Sequence, residues 1–310
     1  MRVATIIGLG NIGYRHFQGI SKLKNKIFLI DPLIRKVDLK KFLNNKNIYY
    51  IKNYSELPKK IDLAIISCSA DVRLNCIKKL LKHSNVKNII LEKILFNKLD
   101  DYKNIKFIYK KKINIWVNSN FRSYDFVKDI KKTNGKLLEL KVLGNNWGMA
   151  CNFIHFLDLI NYFNDEIDYV MTKNNLSNIY KKKRKGFYDF YGDLRFRTNK
   201  NTKIFFQSQK GKLSLKVYLK FKQNTYLVDM IKNKVIIKKL ISKKLTIKEN
   251  IIPYVSSQSA QFAKKIYQNK FNDLPKLKNS CLLHHPMIKI FCDSFYKIKK
   301  EKRKSYCPIT

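Results

Sequence analysis

The sequence predicts an α/β protein with an N-terminal domain on a parallel, doubly wound sheet and a second, mixed α/β domain on a mainly antiparallel sheet. Three observations carry this. Over the first 120 residues, short apolar β-branched runs alternate with amphipathic helical segments, the pattern of strands buried on both faces and their crossover helices. A glycine-rich turn joins the first strand to the first helix. Beyond it the hydrophobic period becomes two, as in Lys212–Lys220, which suits a sheet with only one face on helices. The length, 310 residues, is that of two domains. We place them at 1–120 and 121–310, with the C-terminal helix able to pack back on the first.

The elements follow in order. Arg2–Ile7 is a buried strand, Gly8-Leu9-Gly10-Asn11-Ile12-Gly13 comes next, and Tyr14–Leu23 reads as a helix. Lys26–Ile30 is a second strand ending in Asp31, eighteen residues beyond Gly13. Strand, GxGxxG, helix, strand, acid is the order of a dinucleotide-binding unit. The first glycine permits the tight turn, the second lets backbone approach a pyrophosphate, and the third lets the helix pack on the strand. The helix N-terminus, with Asn11 and Ile12 in its opening turn, offers N–H groups and positive dipole to the phosphates. Asp31 can accept hydrogen bonds from both ribose hydroxyls and would repel a 2′-phosphate, so NAD is expected over NADP. A glycine turn in some other α/β protein is the competing reading, and the flanking elements and the acid weigh against it.

The same rhythm gives strands at Asp62–Ser67, Asn88–Leu91 and Ile113–Val117 and a helix at Val72–His83. Ligands of such sheets bind at the carboxyl ends of the strands. Asp31, the turn with Ser67, Ser69 and Asp71, the pair Glu92-Lys93 and the stretch Asn118–Arg122 are therefore expected along one rim. Later, helices are expected at Tyr124–Thr133, Asn152–Phe163, Ser256–Gln268 and Lys278–Lys299. Strands are expected at Lys136–Leu143, Phe187–Arg197, Lys203–Gln209, Leu213–Phe221, Thr225–Ile231 and Val235–Ile241. Residues 181–185 are the densest basic run and read as a solvated loop.

Composition narrows the function. Lys and Arg number 65 against 22 Asp and Glu, a net charge of +43, which first points to nucleic acid or an anionic membrane. Only 9 of those residues are Arg, however, and 56 are Lys; Asn (31) and Ile (38) are also abundant. Lys, Asn, Ile, Phe and Tyr share AT-rich codons, so genome bias accounts for the excess, and scarce Arg argues against dedicated phosphate recognition. Nucleic acid is thus not the expected partner. There is no apolar run of membrane-spanning length and no secretory leader pattern, so no membrane partner is expected. The six cysteines contain no CxxC pair, arguing against a zinc ribbon or disulfide scaffold and for a reducing cytoplasm. His284-His285 lacks ligand partners at metal spacing, so no metal site is expected.

These residues resemble the Gfo/Idh/MocA family of nicotinamide-dependent oxidoreductases, the glucose–fructose and inositol dehydrogenase group, over nearly the whole chain. The resemblance rests on Gly8–Gly13 with His16, Glu92-Lys93 after a fourth strand, Asn120-Phe121-Arg122 after a fifth, Ile154–Leu159 on a helix, and Leu274–Ser280 followed by His284. It implies a Rossmann domain, a second domain with an open-faced sheet often used for oligomerisation, and hydride exchange between nicotinamide and a sugar or polyol carbon. By the same resemblance Lys93 matches the lysine of the family's Glu-Lys-Pro motif, which hydrogen-bonds the reacting hydroxyl. His155 and Asp158 match the histidine and last aspartate of Asp-x-Gly-x-His-x-x-Asp. Two positions depart: Ile94 stands at the family's proline, and Cys151 at its first aspartate, with Phe153 at the glycine. Lys93 and His155 remain as the matched acid/base candidates.

Each candidate has a plainer reading. His155 titrates near neutrality as a histidine and suits proton transfer in either direction, or is a satisfied core residue. Lys93 is one of 56 lysines, singled out by its place at the end of a sheet strand. Asn120, Arg122, Asn152, His155 and Asp158 are the expected substrate contacts, although Arg122 could equally form a domain-interface salt bridge. Asp71 could cap a helix instead of shaping the cofactor site, and Cys151 suits packing. The expected protein is an NAD-dependent oxidoreductase acting on a sugar, sugar acid or nucleotide sugar, possible anionic substrates included, in the setting of surface-polysaccharide synthesis, and a homo-oligomer. A non-catalytic dinucleotide-binding protein of the same fold is the alternative.

Overall fold

A computed structural model describes residues 1–33, 40, 46–270 and 272–309. The chain falls into two compact units, and it does not divide at a single point. The first holds Met1–Asn118 and Pro253–Cys281, and the second Ser119–Ile252 and Leu282–Thr310. The late segment counted with the first unit was expected in the second domain. It carries apolar residues that complete the first core.

The first unit opens with β1 (Arg2–Ile7), α1 (Asn11–Ile20), β2 (Asn25–Ile30) and β3 (Ile48–Tyr50). Next come β4 (Lys60–Ile61), β5 (Leu63–Ile66), α2 (Arg73–His83), β6 (Asn85–Val86) and β7 (Asn88–Leu91), then a short α3 (Asp101–Asn104) and β8 (Asn114–Val117). Among the described residues its main sheet has six strands in the order β3-β2-β1-β5-β7-β8, all parallel. Strand order reverses beside β1, the switch point where such sheets bind ligands. β5 is buried at every position, as its unbroken apolar run requires. α1 begins three residues before its expected start because the glycine turn supplies its first turn, where apolar periodicity is silent.

The second unit contains α4 (Asp125–Thr133), β9 (Glu139–Asn145), α5 (Met149–Asn164), β10 (Tyr169–Lys181), β11 (Tyr188–Thr198), β12 (Lys203–Gln209) and β13 (Ser214–Lys220). These are followed by β14 (Asn224–Asp229), β15 (Lys234–Lys239) and β16 (Leu245–Glu249). Among the described residues the sheet has eight strands, ordered β10-β11-β12-β9-β13-β14-β15-β16. It is antiparallel except where β9 runs parallel to β12. Along β13, Leu215, Val217 and Leu219 are buried while Lys216, Tyr218 and Lys220 are exposed. One face is therefore a core face and the other open. Phe153 and Phe156 of α5 pack on that core face against Phe206, and Phe153 also meets Phe196 and Phe291.

In the first unit, α6 (Val255–Tyr267) packs on α1. A Cβ on Gly19 would lie 2.2 Å from the Ser256 carbonyl oxygen, so the close approach depends on glycine. Phe262, Ala263, Ile266 and Leu274 join Ile6, Phe17, Ile20 and Leu29 in one core. The last helix, α7 (Leu277–Lys299), spans the division between the units. All six cysteines are free thiols. No described helix is long and apolar enough to cross a membrane, and no three His, Cys, Asp or Glu side chains among the described residues group as a metal site requires.

Candidate functional site

The glycine turn is built by contact. Gly8 has φ +93° and its Cβ position lies 2.4 Å from the Cys68 backbone nitrogen; that of Gly13 lies 2.0 Å from the Gly8 carbonyl oxygen. Neither position can carry a side chain without moving backbone. Gly10 differs: among the described residues nothing comes within 4 Å of its Cβ position. Its openness is what a ligand brought onto the backbone needs. α1 starts directly after it, with Gly10 as N-cap, no side-chain cap and no acid in its first turn. Its N-terminal N–H groups and dipole are left for an anion. Asn11 and Ile12, in that turn, are exposed.

The parallel sheet brings the other rim residues to the same edge. Asp31, after β2, accepts a hydrogen bond from the Leu9 amide at 2.8 Å through one oxygen and from the Leu33 amide at 2.9 Å through the other. It thus braces the glycine turn and is only partly buried; each carboxylate oxygen retains a second lone-pair position for a ribose hydroxyl. Ser67, after β5, donates to the Gly8 carbonyl at 2.7 Å. Ser69 is partly buried. Asp71 does not cap α2, whose N-cap is Val72 with no side-chain cap. Instead Asp71 Oδ1 is buried without a hydrogen-bond partner among the described residues, as is Oδ1 of Asn118 after β8. Buried acceptors of this kind call for a donor. An open Gly10, a bare helix N-terminus, an acid after β2 and orphaned acceptors on one rim fit a nicotinamide dinucleotide.

Glu92 was expected to contact the cofactor. The structure gives its carboxylate other work. It is buried, 2.8 Å from His16 Nε2, and accepts from the Asn118 amide. His16 Nδ1 lies 2.8 Å from Ser259 Oγ, whose own proton goes to the Val255 carbonyl at 2.7 Å. Nδ1 is therefore the donor to Ser259, and a proton is shared between Nε2 and Glu92. Burial alone would raise the Glu92 carboxyl, but the His16 hydrogen bond and charge, Asn118 and the Arg73 charge outweigh it and hold it below the usual range. This network locks the backbone immediately before Lys93. Lys93 is partly buried, and the Lys93–Ile94 peptide is cis.

The remaining candidates belong to the second unit. His155 is buried on α5 and stacks on Phe121, with ring centroids 4.2 Å apart and planes 6° apart. Arg122 donates through Nε to Asp158 Oδ2 at 2.8 Å and through Nη2 to the Asp158 carbonyl and Asn161. These two expected substrate contacts are thus engaged with each other. Burial raises the Asp158 carboxyl to about 6 despite Arg122, consistent with its Oδ1 having no partner among the described residues. Asn120 is buried, and Asn152 donates to the Trp147 carbonyl at 2.8 Å. Cys151 donates to the Gly148 carbonyl. Sequence reasoning missed Asp189, a buried carboxylate from β11 that accepts from the Ala150 amide at 2.9 Å. It places an acid at the N-terminus of α5 beside Cys151, the position lacking the family's aspartate. Only the pairing of distant segments reveals it.

This geometry defines a class, a parallel α/β fold with a dinucleotide-type glycine turn beside a separate sheet-based unit. Residues 1–120 match the model of the GFO_IDH_MocA family, described as an oxidoreductase family with an NAD-binding Rossmann fold. Several solved structures share the fold. The dehydrogenase MviM of Clostridium difficile is 17% identical, with a TM-score of 0.72 over 94% of this chain and 99% of that one. UDP-N-acetylglucosamine 3-dehydrogenase GnnA of Acidithiobacillus ferrooxidans is 10% identical, with a TM-score of 0.73 over 93% and 96%. The transcriptional regulator Gal80p of Kluyveromyces lactis is 14% identical, with a TM-score of 0.70 over 97% and 90%. No curated protein matches by sequence.

Proposed function

We propose that the protein is an NAD-dependent oxidoreductase that interconverts a hydroxyl and a keto group on a sugar, sugar acid or nucleotide sugar. The observation that carries this reading is the rim of the first unit, where the open Gly10, the bare N-terminus of α1 and Asp31 recur in the order a dinucleotide needs. Bound nicotinamide would supply or accept the hydride. The chain's own groups handle the proton: Lys93 as the hydrogen-bonding partner of the reacting hydroxyl, His155 as a second acid/base group in a water-poor, aromatic setting. Asn120 and Asn152 are the proposed hydroxyl contacts, and Arg122 and Asp158 hold the backbone around them. Asp31 favours NAD over NADP. The nucleotide-sugar class is supported by the substrate in the name of the Acidithiobacillus neighbour, and the lysine-rich surface is compatible with an anionic one. A cytoplasmic setting and self-association through the open face of the second sheet, where Tyr218, Leu245 and Ile247 are exposed, complete the proposal.

Turnover of NAD with a panel of sugars, sugar acids and UDP-sugars tests it. Lys93→Ala and His155→Ala should each lower kcat/KM by about 10²-fold or more, the usual worth of a positioned acid/base group, with NADH affinity retained. A non-catalytic, ligand-sensing role is the second reading. It is favoured by Cys151 in place of the family's aspartate and by the likeness to Gal80p. Tight NADH binding with no hydride transfer to any oxidised member of the panel would establish that reading and end the first.

A further inference from the structure

Arg73 opens α2, yet it is only 2% exposed. A buried guanidinium normally answers a carboxylate. Here its hydrogen bonds run to main-chain carbonyls. Nη1 donates to Ile94 and, at 2.8 Å, to Leu95, while Nη2 donates to Cys68 at 2.5 Å. Glu92 is the acid whose charge acts on it, but that carboxylate is hydrogen-bonded to His16 and Asn118. The fork thus spans two turns at the carboxyl ends of neighbouring strands. One is the Cys68 turn, against whose backbone Gly8 packs. The other is the turn that follows Lys93.

Among the described residues this charge has no hydrogen-bonded counter-ion; burying it so is costly, and solvation of three carbonyls is a poor return unless the turn they form must be held still. Lys93 lies between two such restraints, with Glu92 fixed on one side and residues 94 and 95 on the other. We propose that Arg73 is a positioning residue for Lys93, its guanidinium fork fixing the turn that presents the amine. This rests on the reading of Lys93 as the proton-handling group, but it is tested without substrate.

The test uses the full chain and trinitrobenzenesulfonate, which arylates unprotonated lysine amines with loss of sulfite. The rate of Lys93 labelling is followed against pH by peptide mass spectrometry, with exposed lysines of the same molecule as internal references. Three variants are compared with the natural chain: Arg73→Met, Arg73→Lys, which keeps charge but loses the fork, and Arg73→Met with Ile94→Pro. Both single variants should raise Lys93 labelling several-fold toward the reference lysines and speed amide exchange at 93–96. Ile94→Pro in the Arg73→Met background should return the Lys93 profile toward that of the natural chain without restoring the thermal midpoint. A merely structural Arg73 lowers the thermal midpoint and leaves the Lys93 profile unchanged relative to the references. That result in folded Arg73→Met or Arg73→Lys overturns the proposal. If Arg73→Met does not fold, Arg73→Lys and its Ile94→Pro double variant decide by the same criteria. Failure of the enzyme reading is separate, because it appears as absent hydride transfer in the natural chain, and failure of the Lys93 role appears as unchanged turnover in Lys93→Ala; neither alters this labelling result.

Discussion

Gly10 and Gly13 stand three residues apart and do different jobs. Gly13 is required by the protein itself, since a methyl group there meets the Gly8 carbonyl oxygen at 2.0 Å. Gly13→Ala should cost about 3 kcal/mol, the upper end of overpacking penalties, and lower Tm by several degrees in a thermal melt; an unchanged Tm would show that the turn relaxes freely. The motif was legible because it is local and glycine has few other reasons to recur at that spacing. What surrounds it was not. His16 meets Ser259 from 243 positions away, and Arg73 binds carbonyls, which leave no signature in a sequence. The position of Glu92 on the rim was visible in the sequence, whereas its hydrogen bond to His16 was not.

At the scale of elements, the short turn carrying Arg122 is tied to α5 by the Arg122–Asp158 pair. Burial sets the Asp158 carboxyl at about 6 against an ordinary 3.8, so the folded state holds this proton more tightly than the unfolded chain. Its contribution to stability is fully present below about pH 4 and is lost as pH rises through about 6. Asp158→Asn, which keeps an acceptor for Arg122, should therefore gain on the natural chain across that window by up to about 3 kcal/mol. Urea unfolding at pH 4, 5, 6 and 7 measures the difference; a constant offset, or a gap that narrows as pH rises, contradicts the assignment. Regular elements were legible where burial imposes a period, as in β13. β10 was missed because most of its thirteen residues are exposed and two register shifts interrupt its pairing. Such an edge strand carries bulges and polar residues in place of alternation. β16, exposed throughout, was missed for the same reason.

For the whole molecule, the net charge of +43 and the dinucleotide rim point to different partners, and the rim is the more organised of the two. Its residues converge on one edge from five strands, whereas the lysines are spread along the chain and include no matching set of arginines. The two-domain architecture was legible as a change of period near residue 120. The return of 253–281 to the first unit was not, because a helix completing a distant core looks like any other amphipathic helix. The central claim is that the glycine turn binds a nicotinamide dinucleotide, and titration of the natural chain and Gly10→Ala with NADH, followed by fluorescence at physiological salt, tests it most directly. Saturable one-to-one binding by the natural chain, weakened at least tenfold in a Gly10→Ala protein of unchanged Tm, is the predicted result. No NADH binding, or equal binding by both proteins, would contradict it.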